Sequence, residues 1–359
     1  MAKHHLCSVH LSAGSGPELT VHRDTKNNYM KQQVECRVCG SAEISRLPIG
    51  IYEPFFQLRI DISKDPFAIY SLQSSISMPE RRQSVRAKIR RFARRRGWKM
   101  PWQSKRRFFR TMCQLCSNCQ SLTPCHEFSY EDLSGFYRDY RSARYNSDRI
   151  SVEPGYARIA EQVGNSKIEE HVRNAAVTEF LLPHKRHVFG GAVIDIGGSD
   201  GRFVPACIVE GASTIDILDA SAAAVHPGAN RTKIRKVNCG EKDAYSLLLC
   251  MHVLEHVGNP RAFFADALTL LRPGGHAYIE VPLESTAELR NQFQLQTIDM
   301  PFHIHEHINA YDESSVPQLT ASVAGLDMID SRIETIDIGW NSGRVGRYLV
   351  KKSANAPRI

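Results

Sequence analysis

The stretch Ala192-Val-Ile-Asp-Ile-Gly-Gly-Ser-Asp-Gly201 decides the fold. Its apolar half reads as a strand, glycines 197, 198 and 201 follow at a turn, and a helix-compatible segment comes next. Glycine tolerates positive φ and lets backbone approach a ligand that a side chain would exclude. The next apolar run, Thr214-Ile-Asp-Ile-Leu-Asp-Ala220, ends on Asp219. A carboxylate at a strand tip can accept hydrogen bonds from both hydroxyls of a ribose, so the pair points to a nucleoside-bearing cofactor. The spacing then discriminates among cofactors. Asp-x-Gly-Gly-x-x-Gly departs from the Gly-x-Gly-x-x-Gly of dinucleotide folds, and no Gly-Lys-Ser/Thr follows to make a P-loop.

Downstream, Ser246-Leu-Leu-Leu-Cys-Met251 reads as a buried strand leading into His252-Val-Leu-Glu-His-Val-Gly-Asn-Pro260. Pro260 suits a first helical turn, and Phe263, Phe264, Ala267, Leu270 and Leu271 continue with helical spacing. Arg272-Pro-Gly-Gly275 breaks that helix before a strand at His276-Ala-Tyr-Ile-Glu-Val281. This alternation is a doubly wound α/β pattern.

The glycine loop, "HVLEHV" and "LRPGG" together resemble class I S-adenosylmethionine (SAM) methyltransferases, in which the loop holds the methionine end of the cofactor. The resemblance implies a SAM site of Asp195, Gly197, Gly198, Ser199, Gly201, Asp219 and His252. Two departures stand out. The family's Tyr-Asp or Phe-Asp pair is Tyr245-Ser246 here, and Asn230 to Ala244 is short for a third strand plus the acidic loop that contacts adenine. Glu241 and Asp243 are the acids available in that stretch.

The chain has 359 residues, 42% of them hydrophobic, enough for two or three domains with sizeable cores. Without a membrane-length apolar run or a secretory h-region in the first thirty residues, a cytoplasmic protein is expected. In that setting the ten cysteines read as metal ligands, catalytic groups or free thiols rather than disulfides. Cys36-Arg-Val-Cys39 and Cys116-Ser-Asn-Cys119 form two C-x-x-C pairs, separated by 76 residues and suited to one structural zinc ion. Cys113 with Cys116 makes a competing pair.

"CRVCGS" and "LCSNCQSL" resemble the N-terminal zinc-binding domain of a group that includes sugar C-methyltransferases. Phe136-Tyr-Arg-Asp-Tyr-Arg-Ser-Ala-Arg-Tyr-Asn146 resembles that group's tyrosine-rich linker, which sends a tyrosine to the active site; Tyr137, Tyr140 and Tyr145 are the candidates, with Tyr140 assigned the catalytic role.

Near the C-terminus, Pro301-Phe-His-Ile-His-Glu-His-Ile-Asn-Ala-Tyr311 spaces His303, His305 and His307 by two. An extended backbone would put them on one face, with Glu306 opposite, as metal ligands or as a general base. The segment resembles the "HEH" element of the sugar enzymes, which implies acid/base roles for Glu306 and His307. An aromatic residue common before that element is Ile304 here. About fifty residues follow His307 and read as a helix and two closing strands, which favours a smaller or differently bound acceptor.

The expected architecture is a doubly wound, Rossmann-like class I methyltransferase sheet (186–359) preceded by a polar tail (1–33), a small zinc-binding domain (34–128) and a helical linker (129–185). A basic insertion at about 75–110 interrupts the zinc domain. Its segment Arg81 to Arg110 holds fourteen Lys/Arg and no Asp/Glu, and without it the net charge falls from +8 to −6. Such a segment suits a solvated insertion, or contact with an anionic membrane surface or polyanion. The expected activity is SAM-dependent methylation of a small-molecule acceptor, a sugar nucleotide or glycan precursor, on carbon or oxygen. Two alternatives stay open: a catalytically silent scaffold and a nucleic-acid methyltransferase.

Overall fold

The computed structural model describes residues 35–71, 108–220, 224–226, 233–295 and 301–354. The polar tail and the basic segment up to Arg107 lie outside the described residues.

The glycine loop belongs to a seven-stranded sheet. Strands β5 (Ala192–Ile196), β6 (Thr214–Leu218), β7 (Ile234–Val237), β8 (Tyr245–Met251) and β9 (Leu271–Leu283) run parallel. Strands β11 (Leu326–Asp337) and β12 (Ser342–Lys352) close one edge antiparallel, giving the order β11-β12-β9-β8-β5-β6-β7. Every residue of β8 is buried, as expected of a central parallel strand covered on both faces. The order reverses between β5 and β8, and in open α/β sheets a crevice opens beyond the strand C-termini at such a switch point.

Three details differ from the sequence expectation. The third strand is present as β7, four residues long, and its exposed Arg235 is paired with Asp216 of β6. The helix from Pro260 ends at Leu268, while Leu270 and Leu271 are buried where β9 begins. Arg272–Gly275 is an irregularity inside β9: the pairing with β8 shifts between Leu271 and His276, and Gly274 at φ 76° turns the chain back into register.

A second, smaller sheet holds β1 (Ile44–Tyr52), β2 (Ile69–Ser71), β3 (Phe108–Cys116) and β4 (Leu122–Pro124). Its last member, β10 (Phe302–Ile304), arrives from much later in the chain and pairs parallel with β1. Phe302, Ile304, Ile308 and Ala310 therefore share a core with Tyr52, Phe55, Phe56, Phe136 and Tyr145, although chain order assigns them to the large sheet. Helices Tyr130–Phe136, Ala143–Val152 and Lys167–Leu181 connect the sheets, each started by a serine cap (Ser129, Ser142, Ser166), the first with a full capping box to Asp132. No helix among the described residues is long and apolar enough to cross a membrane.

One cation is fully enclosed in the large sheet. Arg347 of β12 has no exposed side-chain area; its Nε donates to Glu280 Oε2 at 3.0 Å, and Nη1 pairs with Glu334. Removing one partner leaves an uncompensated buried charge. Arg347→Met should lower unfolding free energy by roughly 3 kcal/mol, read from urea denaturation. A change under about 0.5 kcal/mol would contradict the enclosed-pair account.

Candidate active site and metal centre

A cleft of about 490 Å³ opens beyond the C-terminal ends of β5, β6 and β8. Asp195, Gly197, Gly198, Ser199, Asp219 and His252 line one part, and Tyr137, Tyr140, Glu306 and His307 another. Of the residues assigned to the SAM site, only Gly201 is absent from the lining. It lies beneath the loop at φ 79°, where a Cβ would stand 2.7 Å from Ile217 Cδ1.

The loop is shaped by close approach. A Cβ on Gly197, itself at φ 72°, would lie 2.6 Å from Val253, and one on Gly198 would collide with the Asp195 carboxylate. Ser199 takes positive φ without being glycine, and its N–H donates to Asp219 Oδ2 at 2.9 Å, which aims that carboxylate along the loop. Asp195 is 1% exposed, and neither carboxylate oxygen has a hydrogen-bond partner among the described residues. Burial, then the charge of Asp219, pushes its pKa up to about 8. An orphaned buried carboxyl beside a glycine cradle fits a ligand that brings an ammonium group, as the methionine end of SAM does.

His252 has its Nε2 3.0 Å from Glu280 and its Nδ1 3.2 Å from Glu255, both carboxylates fully buried. Burial disfavours the imidazolium, yet hydrogen bonds to Glu255 and Glu280 prevail and raise its pKa. Arg173, which the sequence did not flag, stacks on Phe203 at 4.2 Å and pairs with Glu169 and Glu280 while lining the cleft. Glu241 and Asp243 do not line it, and Asp243 pairs with Lys352 at 3.1 Å. Ser246 replaces the family acid by donating its hydroxyl to the carbonyls of Gly190 and Ala192.

The histidine segment is not one extended face. Only Phe302–Ile304 is strand, and half-exposed His303 turns away to Glu53. His305 Nδ1 accepts the N–H of Glu306 at 2.7 Å. The imidazole His307 instead meets His256, with ring centroids 4.9 Å apart, and Glu255, His256 and His307 bring one ligand atom each within 4.8 Å of one another. That trio, not His303, His305 and His307, is the group that could hold a cation. Burial, then the neighbouring His256, lowers the His307 pKa to about 3, and burial lowers His305 to about 4.

Glu306 points into a cage. Arg149 pairs with Oε1 at 2.5 Å, the Tyr145 hydroxyl donates to Oε1 at 3.0 Å, and the Tyr140 hydroxyl reaches Oε2 at 3.4 Å. Tyr137 donates to the Glu306 carbonyl at 2.6 Å. Burial would raise the Glu306 pKa, but Arg149 and then Arg141 hold it at about 2. All three linker tyrosines thus converge on one residue. Arg149 was missed in the sequence, where its only signal is the i,i+4 spacing to Glu153.

The four cysteines meet across the small sheet. Cys36 and Cys119 Sγ stand 3.6 Å apart, as do Cys39 and Cys116, and all four lie within 4.8 Å of one another. A tetrahedral ion with Zn–S bonds of about 2.3 Å needs edges of roughly 3.8 Å, so the donor set fits zinc. Each pair sits in the same turn, closed by Gly40 N–H to Cys36 O and Gln120 N–H to Cys116 O; Gly40 and Gln120 both take positive φ. Cys113 packs instead in the second core.

Residues 168–331 match the family model of a methyltransferase domain. The fold is the mixed α/β fold of SAM-dependent methyltransferases, and SAM is the cofactor of that class. Similar curated proteins include the ubiquinone biosynthesis O-methyltransferases of Vibrio atlanticus (29% identity over 111 residues, 28% of this chain and 46% of the relative) and Photorhabdus laumondii (28% over 110 residues, 28% and 46%). The chain spans just under half the length of these relatives. Among solved structures, it is similar to the Burkholderia thailandensis 1,6-didemethyltoxoflavin-N1-methyltransferase with bound S-adenosylhomocysteine (TM-score 0.40, 16% identity, 59% of this chain and 88% of that one). The N-methyltransferase NodS from Bradyrhizobium japonicum gives a TM-score of 0.36 at 13% identity, covering 52% and 88%.

The Asp195 environment generates a pH prediction. Below pH about 8 the free protein holds this carboxyl protonated, whereas an ammonium ligand favours the carboxylate. S-adenosylhomocysteine binding at pH 7 should therefore release a proton, with affinity rising toward pH 8 and flattening above. Calorimetry in buffers of different ionisation enthalpy reads the release, and Asp195→Asn should abolish it; wild-type binding without proton release would contradict the assignment.

Proposed function

We propose that this chain transfers the methyl group of SAM to a small-molecule acceptor held in the cleft, and that Cys36, Cys39, Cys116 and Cys119 hold a structural zinc ion. The observation that carries the reading is that one cleft joins the glycine loop and Asp219 to the Glu306–His307 pair. The sulfonium of SAM supplies an already activated methyl group. What this chain must add is orientation, which can supply a large part of the barrier reduction, and a path for the acceptor's proton.

In this reading Asp195 takes the ammonium of the cofactor, Asp219 the ribose, and the glycine loop gives backbone access. His307 is neutral at physiological pH because burial disfavours its charge, so its ring is ready to accept a proton. Glu255, buried beside it, favours the imidazolium that results. Arg149, Tyr145 and Tyr140 fix Glu306 as a carboxylate and thereby the backbone that carries His307. The proton removed comes from a hydroxyl or from a carbon beside a ketone. The O-methyltransferase relatives support the first, and the resemblance of the histidine segment to sugar C-methyltransferases supports the second, on a sugar nucleotide or glycan precursor.

Two outcomes are expected. His307→Ala should bind S-adenosylhomocysteine like wild type while turnover with the identified acceptor falls by roughly 10²–10⁴-fold; unchanged turnover removes His307 from the reaction. Elemental analysis should find about one zinc per chain. Cys36→Ser should release it and destabilise the small sheet. Wild-type protein without zinc would end the metal assignment.

A further inference from the structure

One cation in the cleft has no carboxylate in contact with it, since Glu306 and Glu169 act on Arg141 only from beyond ion-pair distance. Arg141 follows the tyrosine that reaches Glu306, and it lines the same cavity as Glu306 and His307. Its backbone sits at φ 59°, two residues after Asp139 at φ 57°. A non-glycine residue holds the left-handed region only where its surroundings impose it, and such strain gathers at ligand sites. The guanidinium stacks over the Tyr140 ring at 4.8 Å and crosses Gly164. Gly164 is itself at φ 70°, and a Cβ there would collide with that guanidinium, so the slot exists because residue 164 has no side chain.

The partners are what is missing. Arg141 Nε is buried without a hydrogen-bond partner, and among the described residues no carboxylate lies within 4 Å of the guanidinium. The other arginines nearby each have a carboxylate in contact: Arg149 has Glu153 and Glu306, Arg202 has Asp200, and Arg173 has Glu169 and Glu280, although its Nε also lacks a hydrogen-bond partner. A guanidinium withdrawn from water costs free energy unless an anion meets it, and its planar fork matches a carboxylate or phosphate with two parallel N–H donors. Elsewhere the lining of the same cleft includes the aromatic residues Phe128, Tyr130, Tyr137 and Phe263.

We infer that Arg141 is the anchor for an anionic group, a carboxylate or a phosphate, carried by the methyl acceptor. This rests on the methyltransferase reading and narrows its acceptor class: a neutral acceptor would leave the guanidinium with no anion in contact. The cofactor's own carboxylate is the competing anion, and Arg173, stacked on Phe203 and lining the cleft with Asp195, is the arginine available to it.

The test uses the full chain in calorimetry. Wild type, Arg141→Met and Arg141→Lys are first titrated with S-adenosylhomocysteine, then, saturated with it, with sodium benzoate and separately with inorganic phosphate. The inference expects equal S-adenosylhomocysteine affinity in all three. It also expects binding of at least one anion to wild type, weaker by roughly 10- to 100-fold in Arg141→Met and partly kept in Arg141→Lys. Benzoate binding assigns a carboxylate, and phosphate binding a phosphate. Anion affinity unmoved by Arg141→Met, or no anion binding to wild type that does bind S-adenosylhomocysteine, overturns the inference alone. Loss of S-adenosylhomocysteine affinity in a folded Arg141→Met gives the residue to the cofactor and also overturns it. Wild type that binds no S-adenosylhomocysteine overturns the methyltransferase reading, and the acceptor inference falls with it.

Discussion

Buried Asn309 donates its amide to the carbonyls of Leu254 at 3.0 Å and Val257 at 2.7 Å, and the Ile308 and Asn309 backbone N–H groups donate to the Glu255 carbonyl. Tyr311 adds a hydroxyl bond to Leu254 O at 2.7 Å. These bonds dock residues 308–311 onto the turn that follows β8. The strand just before them, β10, is hydrogen-bonded into the small sheet. One short segment thus belongs to both sheets, and Glu306 and His307 lie between its two anchors. Backbone groups buried at such a junction must find partners, so the segment has little freedom to move without breaking several bonds together.

The electrostatics of the cleft follow from that docking. Withdrawal from water acts in the same sense on each group, disfavouring charge, and the neighbours decide what survives. Glu306 stays ionised because Arg149 and Arg141 face it, Asp195 does not because no cation touches it, and His307 gives up its charge in an imidazole cluster. The result is a cavity with a neutral acceptor of protons near one end and an orphaned carboxyl near the other. Both are positions where a ligand's own charge and protons have the largest effect.

The parallel sheet was legible because its signals are local. Apolar runs of strand length, glycines where the backbone must turn, and Asp219 at a strand tip are each set by residues within a few positions. The same holds for the C-x-x-C pairs. The histidine segment misled because period-two spacing gives one face only if the backbone stays extended, and hydrogen bonding to β1 ends after Ile304. Arg149, Arg173 and Glu255 carried no usable spacing signal toward the cleft, since their partners lie 157, 107 and 52 residues away at Glu306, Glu280 and His307.

The amino-acid sequence by itself determined strands β5, β6, β8 and β9 with the helix that starts at Pro260, the glycine cradle and the cysteine pairs, because these depend on local periodicity and on the conformational range of glycine. Only the tertiary structure decided that β10 leaves the large sheet for the small one and that three linker tyrosines close on Glu306. It alone also decided that His307 meets His256 rather than His303. Those outcomes are long-range: they depend on which buried polar groups find partners once two cores pack against one segment, and no spacing along the chain encodes that.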